Sequence, residues 1–324
     1  IFFEDLNLRA PDYYLESASK DLGETIGNVI AKSYKLLSDL KPDALLILGD
    51  TNSALAAISA KRLKIPVFHM EAGNRCWDWN VPEMVNRTIV DHIADVNLPY
   101  TENSRRYLLS EGMDGKTIFV TGSPMHEVIS KNIERIKNSD VLTRLNLEKG
   151  KFIIVSAHRE ENIDIEDNFV ELINSINEIA EKYQVPVIYS THPRTRKFIE
   201  KRKIIFHPLV QNVKPLGFLD YVKLQANALL VLSDSGTLTE ESAILGFSGV
   251  LIRTSTERPE GLDAGTIVVG GIKSRDVLSA AELAINISKE RPISKLPIDY
   301  ETTDVSTKVV KIIQSYVHIV NKTT

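Results

Sequence analysis

Ala44-Leu45-Leu46-Ile47-Leu48-Gly49-Asp50 is an uninterrupted apolar run that ends on a glycine and a carboxylate. Without polar alternation it reads as a strand covered on both faces, the mark of a parallel sheet. Further runs of this kind lie at 66–70, 95–98, 117–121, 152–156, 186–190, 203–206, 228–232, 249–252 and 266–269. Segments with helical spacing fall between them at 52–63, 82–94, 166–183, 236–245 and 275–288. Strand–helix repetition builds right-handed crossover units, so the chain is of the α/β class. At 324 residues it exceeds one ordinary core, and the expected domains are 1–148 and 149–302. The charged stretch 131–151 reads as a helix leading into the link between them. Val305, Val309, Ile312, Ile313 and Tyr316 predict a last helix within 303–324, able to pack on either domain.

Composition narrows the function. A net charge of -4 gives no electrostatic footprint for nucleic acid or an anionic membrane. No apolar run approaches a spanning helix, and no signal-peptide pattern occurs. One cysteine, Cys76, rules out an internal disulfide and agrees with a reducing cytoplasm. The 7 histidines include no pair at metal-ligand spacing, so neither a metal nor another cofactor is expected. Walker and GxGxxG fingerprints are absent, leaving kinase and nicotinamide-enzyme readings without support. The chain opens on Ile1-Phe2-Phe3-Glu4-Asp5-Leu6, which reads like the middle of a domain, so an upstream segment is expected.

The first half carries Asp50, Glu71 and Glu83. Asp50 and Glu71 follow strands, and ligands of open parallel sheets sit outside the strands' carboxyl ends. Asp50 is either a cap for the next helix or a group facing a ligand. Glu71 precedes Ala72-Gly73, where glycine lets a ligand approach the backbone, and either faces that ligand or pairs with Arg75 or Arg87. Glu83 and Arg87 have the spacing of a plain helix-surface ion pair. If the carboxylates converge, they raise one another's proton affinity, and one can act as base while another acts as acid. Such a set suits proton removal from a sugar carbon.

The second half offers donors for a diphosphate. Leu229–Leu232 leads through Ser233-Asp234-Ser235-Gly236-Thr237 into a helix, so Ser235 and the amides of Gly236 and Thr237 can hold phosphate oxygens or simply cap. Glu241 lies about 9 Å along that helix at ~1.5 Å per residue, within reach of a ribose. Arg258 can clamp a diphosphate or pair with Glu257 or Glu260. His158 and His192 follow two strands, and His158 can steady a leaving oxygen.

The set Gly49-Asp50-Thr51, His69-Met70-Glu71-Ala72-Gly73, Pro82-Glu83 with Asn86-Arg87, His158-Arg159-Glu160, Asp234-Ser235-Gly236 with Glu240-Glu241, and Glu257-Arg258-Pro259-Glu260 resembles the non-hydrolysing UDP-N-acetylglucosamine 2-epimerase family. The match runs in order from about Leu6 to Leu283. The resemblance implies two Rossmann-like domains facing across a cleft in the glycosyltransferase-B arrangement, the second binding UDP. It also implies a homodimer, with the final helix crossing back onto the first domain. The reaction the resemblance implies is loss of UDP from C1 as the C2 proton is removed, then re-addition of UDP to a held glycal protonated from the other face. On this resemblance Asp50, Glu71 and Glu83 are the acid/base groups and His158 assists departing UDP. Ser235 and Arg258 hold the diphosphate, Glu241 the ribose, Arg87 orients carboxylates or a phosphate, and Tyr221 lies near the uracil.

Glu71-Ala72-Gly73-Asn74-Arg75-Cys76 departs from the family's usual Glu-Ala-Gly-Leu-Arg-Thr. With Val120–Met125, Ser190–Arg196 and Lys214–Phe218 it resembles the branch that converts UDP-2-acetamido-2,6-dideoxy-L-talose to UDP-N-acetyl-L-fucosamine for capsule or O-antigen. A 6-deoxy sugar lacks the C6 hydroxyl, so a different lining beside Glu71 is physically reasonable, with Cys76 as a pocket wall. Nothing here matches the relatives' opening strand and Gly-Thr-Arg-Pro-Glu loop, and a protein without them is expected to have weak or no activity. The alternatives are a UDP-N-acetylglucosamine 2-epimerase, a glycosyltransferase sharing the fold, and a regulator that only binds nucleotide sugars.

Overall fold

A computed structural model describes residues 2–79, 81–290 and 296–320. The chain divides into two units. One, here the C-unit, comprises Ile1–Arg9 and Val128–Tyr300, and the N-unit comprises Ala10–Glu127 and Glu301–Thr324. Each has a parallel sheet, so the architecture is α/β with two Rossmann-like units.

In the N-unit, β1 (Leu45–Leu48), β2 (Val67–Met70) and β3 (Val96–Leu98) lie in that order. The segment 117–121 is not a full strand. It touches the sheet through a single bridge, Asn97 to Ile118, and follows β3 by Phe119 N–H to Asn97 O (3.0 Å) and Thr121 N–H to Pro99 O (3.0 Å). Helix Leu22–Leu40, which apolar runs alone did not bring out, is capped by Asp21 accepting from Glu24 N (2.8 Å). Helix Val305–Val320 sets Val305, Val309 and Val320 against Phe68, Val96 and Leu98. Glu127 anchors its start by accepting from Ser306 N (2.9 Å).

The C-unit holds β4 (Ile153–Ser156), β5 (Val187–Ser190), β6 (Val210–Val213), β7 (Leu230–Ser233), β8 (Gly249–Leu251) and β9 (Ile267–Val269). Their spatial order is β6-β5-β4-β7-β8-β9, the doubly wound order that reverses direction between β4 and β7. Along β4 the side chains alternate. Ile153 and Val155 join the core under helices Glu166–Tyr183 and Ser274–Glu290, while Ile154, with Phe152 before it, joins the core containing Val141, Leu224 and Leu238. Both faces are covered, which is why no polar alternation shows in the sequence.

The edge strand was misplaced by the apolar pattern. Residues 203–206 are a loop, with Lys203 at φ 51° and Ile205 exposed, and β6 lies at Val210-Gln211-Asn212-Val213. An edge strand tolerates polar residues at its centre, so its apolar signal is weak. The charged stretch is not one helix, and Met125–Lys131, Ile133–Lys137 and Val141–Arg144 are separate short helices. Among the described residues no helix is long and apolar enough to cross a membrane, and no cluster of three or more His, Cys, Asp or Glu is arranged to hold a metal ion.

Candidate active site

The N-unit gathers its candidates where β1 and β2 end. Helix Pro82–Ile93, started by a proline that needs no N–H there, carries Arg87 inward to 2% exposure. The guanidinium hydrogen-bonds the Asp50 carboxylate through Nη2 and the Glu71 carbonyl through Nη1. The same Nη2 lies 3.7 Å from Glu71 Oε1. One buried cation therefore holds both Asp50 and Glu71. Glu71 itself is left-handed at φ 62°, a conformation a non-glycine residue keeps only where its surroundings fix it. Its carboxylate lies so close to Gly49 that a Cβ there would sit 3.2 Å from Oε2.

Asn86 steadies the same turn, donating to Asp50 O (3.0 Å) and Asn52 Oδ1 (3.0 Å). Glu83 stands half-buried in the helix's first turn and is not ion-paired with Arg87. The plain surface pair allowed by its spacing is thus not formed, because Arg87 is directed to the strand ends instead.

Beneath this cluster lies a layer that sequence reading missed. His69 on β2 faces Gly49 O with Nε2 (2.9 Å) and Asp91 Oδ1 with Nδ1 (2.8 Å). Asp91 also accepts from Gly73 N (3.1 Å) and Arg75 Nη1 (2.7 Å), and Arg75 forks onto Glu111 (2.7 and 2.8 Å). Burial works to raise Asp91, but hydrogen bonds and charge from His69 and Arg75 outweigh it and hold the carboxyl below its ordinary range. The sequence offered His69 only within a motif and Arg75 only as a partner for Glu71, whereas Arg75 is bound to Asp91 and Glu111.

In the C-unit the candidates stand at the switch point, where ligands of such sheets bind. Asp234, fully buried after β7, accepts from the backbone N–H of His158 (2.8 Å) and Arg159 (2.8 Å) and from Asn162 Nδ2 (3.1 Å). It thereby ties the β4 loop to the β7 loop and leaves the His158 ring half-exposed, with Nδ1 3.5 Å from Asp234 Oδ1. Ser235 Oγ and Thr237 Oγ1 are 2.9 Å apart beside the start of helix Leu238–Leu245. Arg258 crosses over Gly236, where a Cβ would sit 3.3 Å from Nε. It hydrogen-bonds the Glu240 carboxylate, a partner the sequence did not single out, and its charge also bears on Glu260. Glu260 also accepts from Tyr300 Oη (2.6 Å).

Glu241 is buried and accepts from Gln225 Nε2 (2.6 Å). Burial raises its carboxyl above the ordinary range against the lowering by Gln225, Thr237 and Arg258. Tyr221, on helix Phe218–Gln225, is half-buried and packs within the core that contains Leu224 and Leu238. Burial, then the charge of Glu241, pushes its phenol up. His192 caps helix Pro193–Lys201, its Nδ1 facing Arg194 N at 3.3 Å, and its side chain is otherwise exposed. Its visible work is structural.

Comparison with known proteins meets this geometry. The family model described as UDP-N-acetylglucosamine 2-epimerase matches residues 1–314. The solved UDP-N-acetylglucosamine 2-epimerase of Rickettsia bellii is 42% identical at a TM-score of 0.89, the match covering 99% of this chain and 86% of that one. The Methanocaldococcus jannaschii UDP-GlcNAc 2-epimerase, solved with UDP-GlcNAc and UDP, is 32% identical at a TM-score of 0.90, covering 97% of this chain and 87% of its own. A Pseudomonas aeruginosa UDP-2,3-diacetamido-2,3-dideoxy-D-glucuronate 2-epimerase is 32% identical over 86% of this chain and 78% of its own. A match of this extent places the chain in the UDP-N-acetylglucosamine 2-epimerase family of isomerases.

Proposed function

We propose that the protein epimerises C2 of a UDP-2-acetamido sugar by eliminating UDP and adding it back. A carboxylate of the Asp50, Glu71 and Glu83 set takes the C2 proton while the C1–O bond breaks, giving a glycal and UDP. Re-addition of UDP at C1 with protonation at C2 from the opposite face completes the inversion, and atoms balance without a redox cofactor. The observation that carries this reading is the single buried Arg87 guanidinium holding both Asp50 and Glu71 at adjacent strand ends. Two positioned carboxylates supply acid and base, which a mere binder of a neutral sugar does not need.

Ser235, Gly236, Thr237 and Arg258 hold the diphosphate, with His158 donating to the departing oxygen. Glu241 takes the ribose, Tyr221 lies near the uracil, and His192 binds substrate in addition to capping its helix. The substrate is UDP-2-acetamido-2,6-dideoxy-L-talose, giving UDP-N-acetyl-L-fucosamine for capsule or O-antigen in a cytoplasmic homodimer. Support for this branch is the Asn74-Arg75-Cys76 sequence after Glu71. A second reading, UDP-N-acetylglucosamine itself, draws on the names of the solved relatives.

The test is incubation with each UDP-sugar in deuterated water, followed at C2 by NMR. An epimerase places deuterium at C2, and the sugar that labels faster identifies the substrate. Retention of the proton in both sugars would leave a glycosyltransferase or a binding protein.

A further inference from the structure

The loop between Glu71 and helix Pro82–Ile93 carries both tryptophans of the chain, Trp77 and Trp79. Its root is rigid. Ala72, Gly73, Asn74 and Arg75 are buried, and Gly73 at φ 79° would put a Cβ 2.5 Å from Ser104 O. Beyond the root the character inverts, with Trp77 57% and Trp79 62% exposed. Trp77 also lies in the left-handed region at φ 59°, where a bulky side chain is strained. Tyr107 of helix Glu102–Ser110 meets its ring edge-on, with centroids 5.6 Å apart and planes at 86°. A buried root, a strained backbone and the Tyr107 contact hold the Trp77 indole exposed, and Trp79 stands exposed two residues on. In the sequence both lie between two of the proposed acid/base groups, Glu71 and Glu83.

Resting on the epimerase reading above, we propose that Trp77 and Trp79 are specificity-determining residues that cover the C6 edge of the sugar and select a methyl there. An indole face packs well against C–H groups. A C6 hydroxyl pressed against it loses water without gaining a partner, and a C6 carboxylate loses more. The relative named for a D-glucuronate substrate handles a carboxylate at that carbon, so discrimination at C6 is a requirement within this family. The carboxylates and diphosphate donors do not reach that edge of the problem, because they act on groups every such substrate shares.

With no other tryptophan in the chain, red-edge-excited fluorescence reads this loop alone. The emission of the wild type is expected to shift with UDP-N-acetyl-L-fucosamine and to stay unchanged with UDP. Kinetics then compare C2 exchange of the 6-deoxy sugar and of UDP-N-acetylglucosamine in Trp77→Gly, Trp79→Ala, Trp77→Phe and Trp79→Phe. Glycine accepts φ 59° without strain, so Trp77→Gly removes the indole while keeping the backbone. Its kcat/KM preference for the 6-deoxy sugar is expected to fall by about tenfold or more, with phenylalanine restoring most of it.

A wild type that prefers the 6-deoxy sugar, with variants that keep its full preference, overturns the loop assignment alone. Equal losses on both sugars, or identical fluorescence with UDP and UDP-sugar, do the same. A wild type that exchanges only UDP-N-acetylglucosamine overturns the substrate reading and this inference together.

Discussion

Arg87 does two jobs with one side chain, bonding the Asp50 carboxylate with one nitrogen and the Glu71 carbonyl with the other. A lysine keeps the charge but has no planar fork to span both. Arg87→Lys is therefore expected to slow C2 exchange by about 100-fold, the cost of reacting groups moved off their productive geometry. Calorimetric UDP affinity should stay unchanged, and a variant with the normal exchange rate would remove Arg87 from the mechanism. Glu241 makes a different prediction. Its proton affinity is raised on folding, first by burial. A carboxyl of this kind contributes stability that is full below its unfolded pKa and is lost as pH rises through the folded one. Glu241→Gln should remove that slope, so the urea midpoint of the wild type should fall relative to that of the variant as pH rises from acid to neutral. A constant offset at every pH would show that Glu241 does not titrate differently on folding. Asp50 and Glu71 were legible from the sequence because each follows an apolar strand. Glu240 as the partner of Arg258, and Asp234 as the tie between two loops, were not, since each pairing joins distant or crowded acids that spacing cannot rank.

The strand–turn elements that deliver these groups depend on left-handed backbone at Glu71 and Gly73, φ 62° and 79°. Gly73 has no room for even one carbon, since Ser104 O and Leu108 Cγ would lie 2.5 and 2.8 Å from it. Gly73→Ala combines backbone strain with overpacking against a main chain that cannot rotate away, and a loss of about 3 kcal/mol is expected. Gly112, at φ 86° with nothing within 4 Å of its would-be Cβ, isolates the backbone contribution. Gly112→Ala should cost only about 1 kcal/mol. Denaturant melts of the two variants check the difference, and equal losses would refute the crowding at Gly73. Elements were legible by their apolar runs, which tracked burial in the C-unit but not in β1. There Leu46 and Leu48 are exposed and, contrary to what its sequence suggested, the strand is not covered on both faces. β4, β5 and β7 are covered on both faces and read as apolar runs, whereas β6 has Gln211 and Asn212 at its centre and was displaced onto a neighbouring loop. Helix Leu22–Leu40 was passed over because its buried face, Val29, Ser33 and Leu37, includes a serine.

For the whole molecule, the chain leaves the C-unit at Tyr300 and finishes in the N-unit. Tyr300 is fully buried and donates to Glu260, so the C-unit has its own anchored end after its six-stranded sheet. The N-unit does not close without its terminal helix. Its three-stranded sheet relies on Val305, Val309 and Val320 to cover Phe68, Val96 and Leu98, and Glu127 loses its bond to Ser306 if the helix goes. Uncovering apolar side chains costs about 2 kcal/mol each on area grounds, so exposing this group matches the whole stability of a typical domain. The proposed division of work makes the consequence specific, since the diphosphate donors lie in one unit and the acid/base carboxylates in the other. A protein ending after Tyr300 is expected to keep its calorimetric affinity for UDP while losing C2 exchange in deuterated water. Its circular dichroism should retain a cooperative transition for the C-unit and lose the N-unit's share. Retained exchange would mean that the carboxylate cluster stands without helix Val305–Val320, and lost UDP binding would mean that the donors at the β4–β7 switch point do not suffice alone.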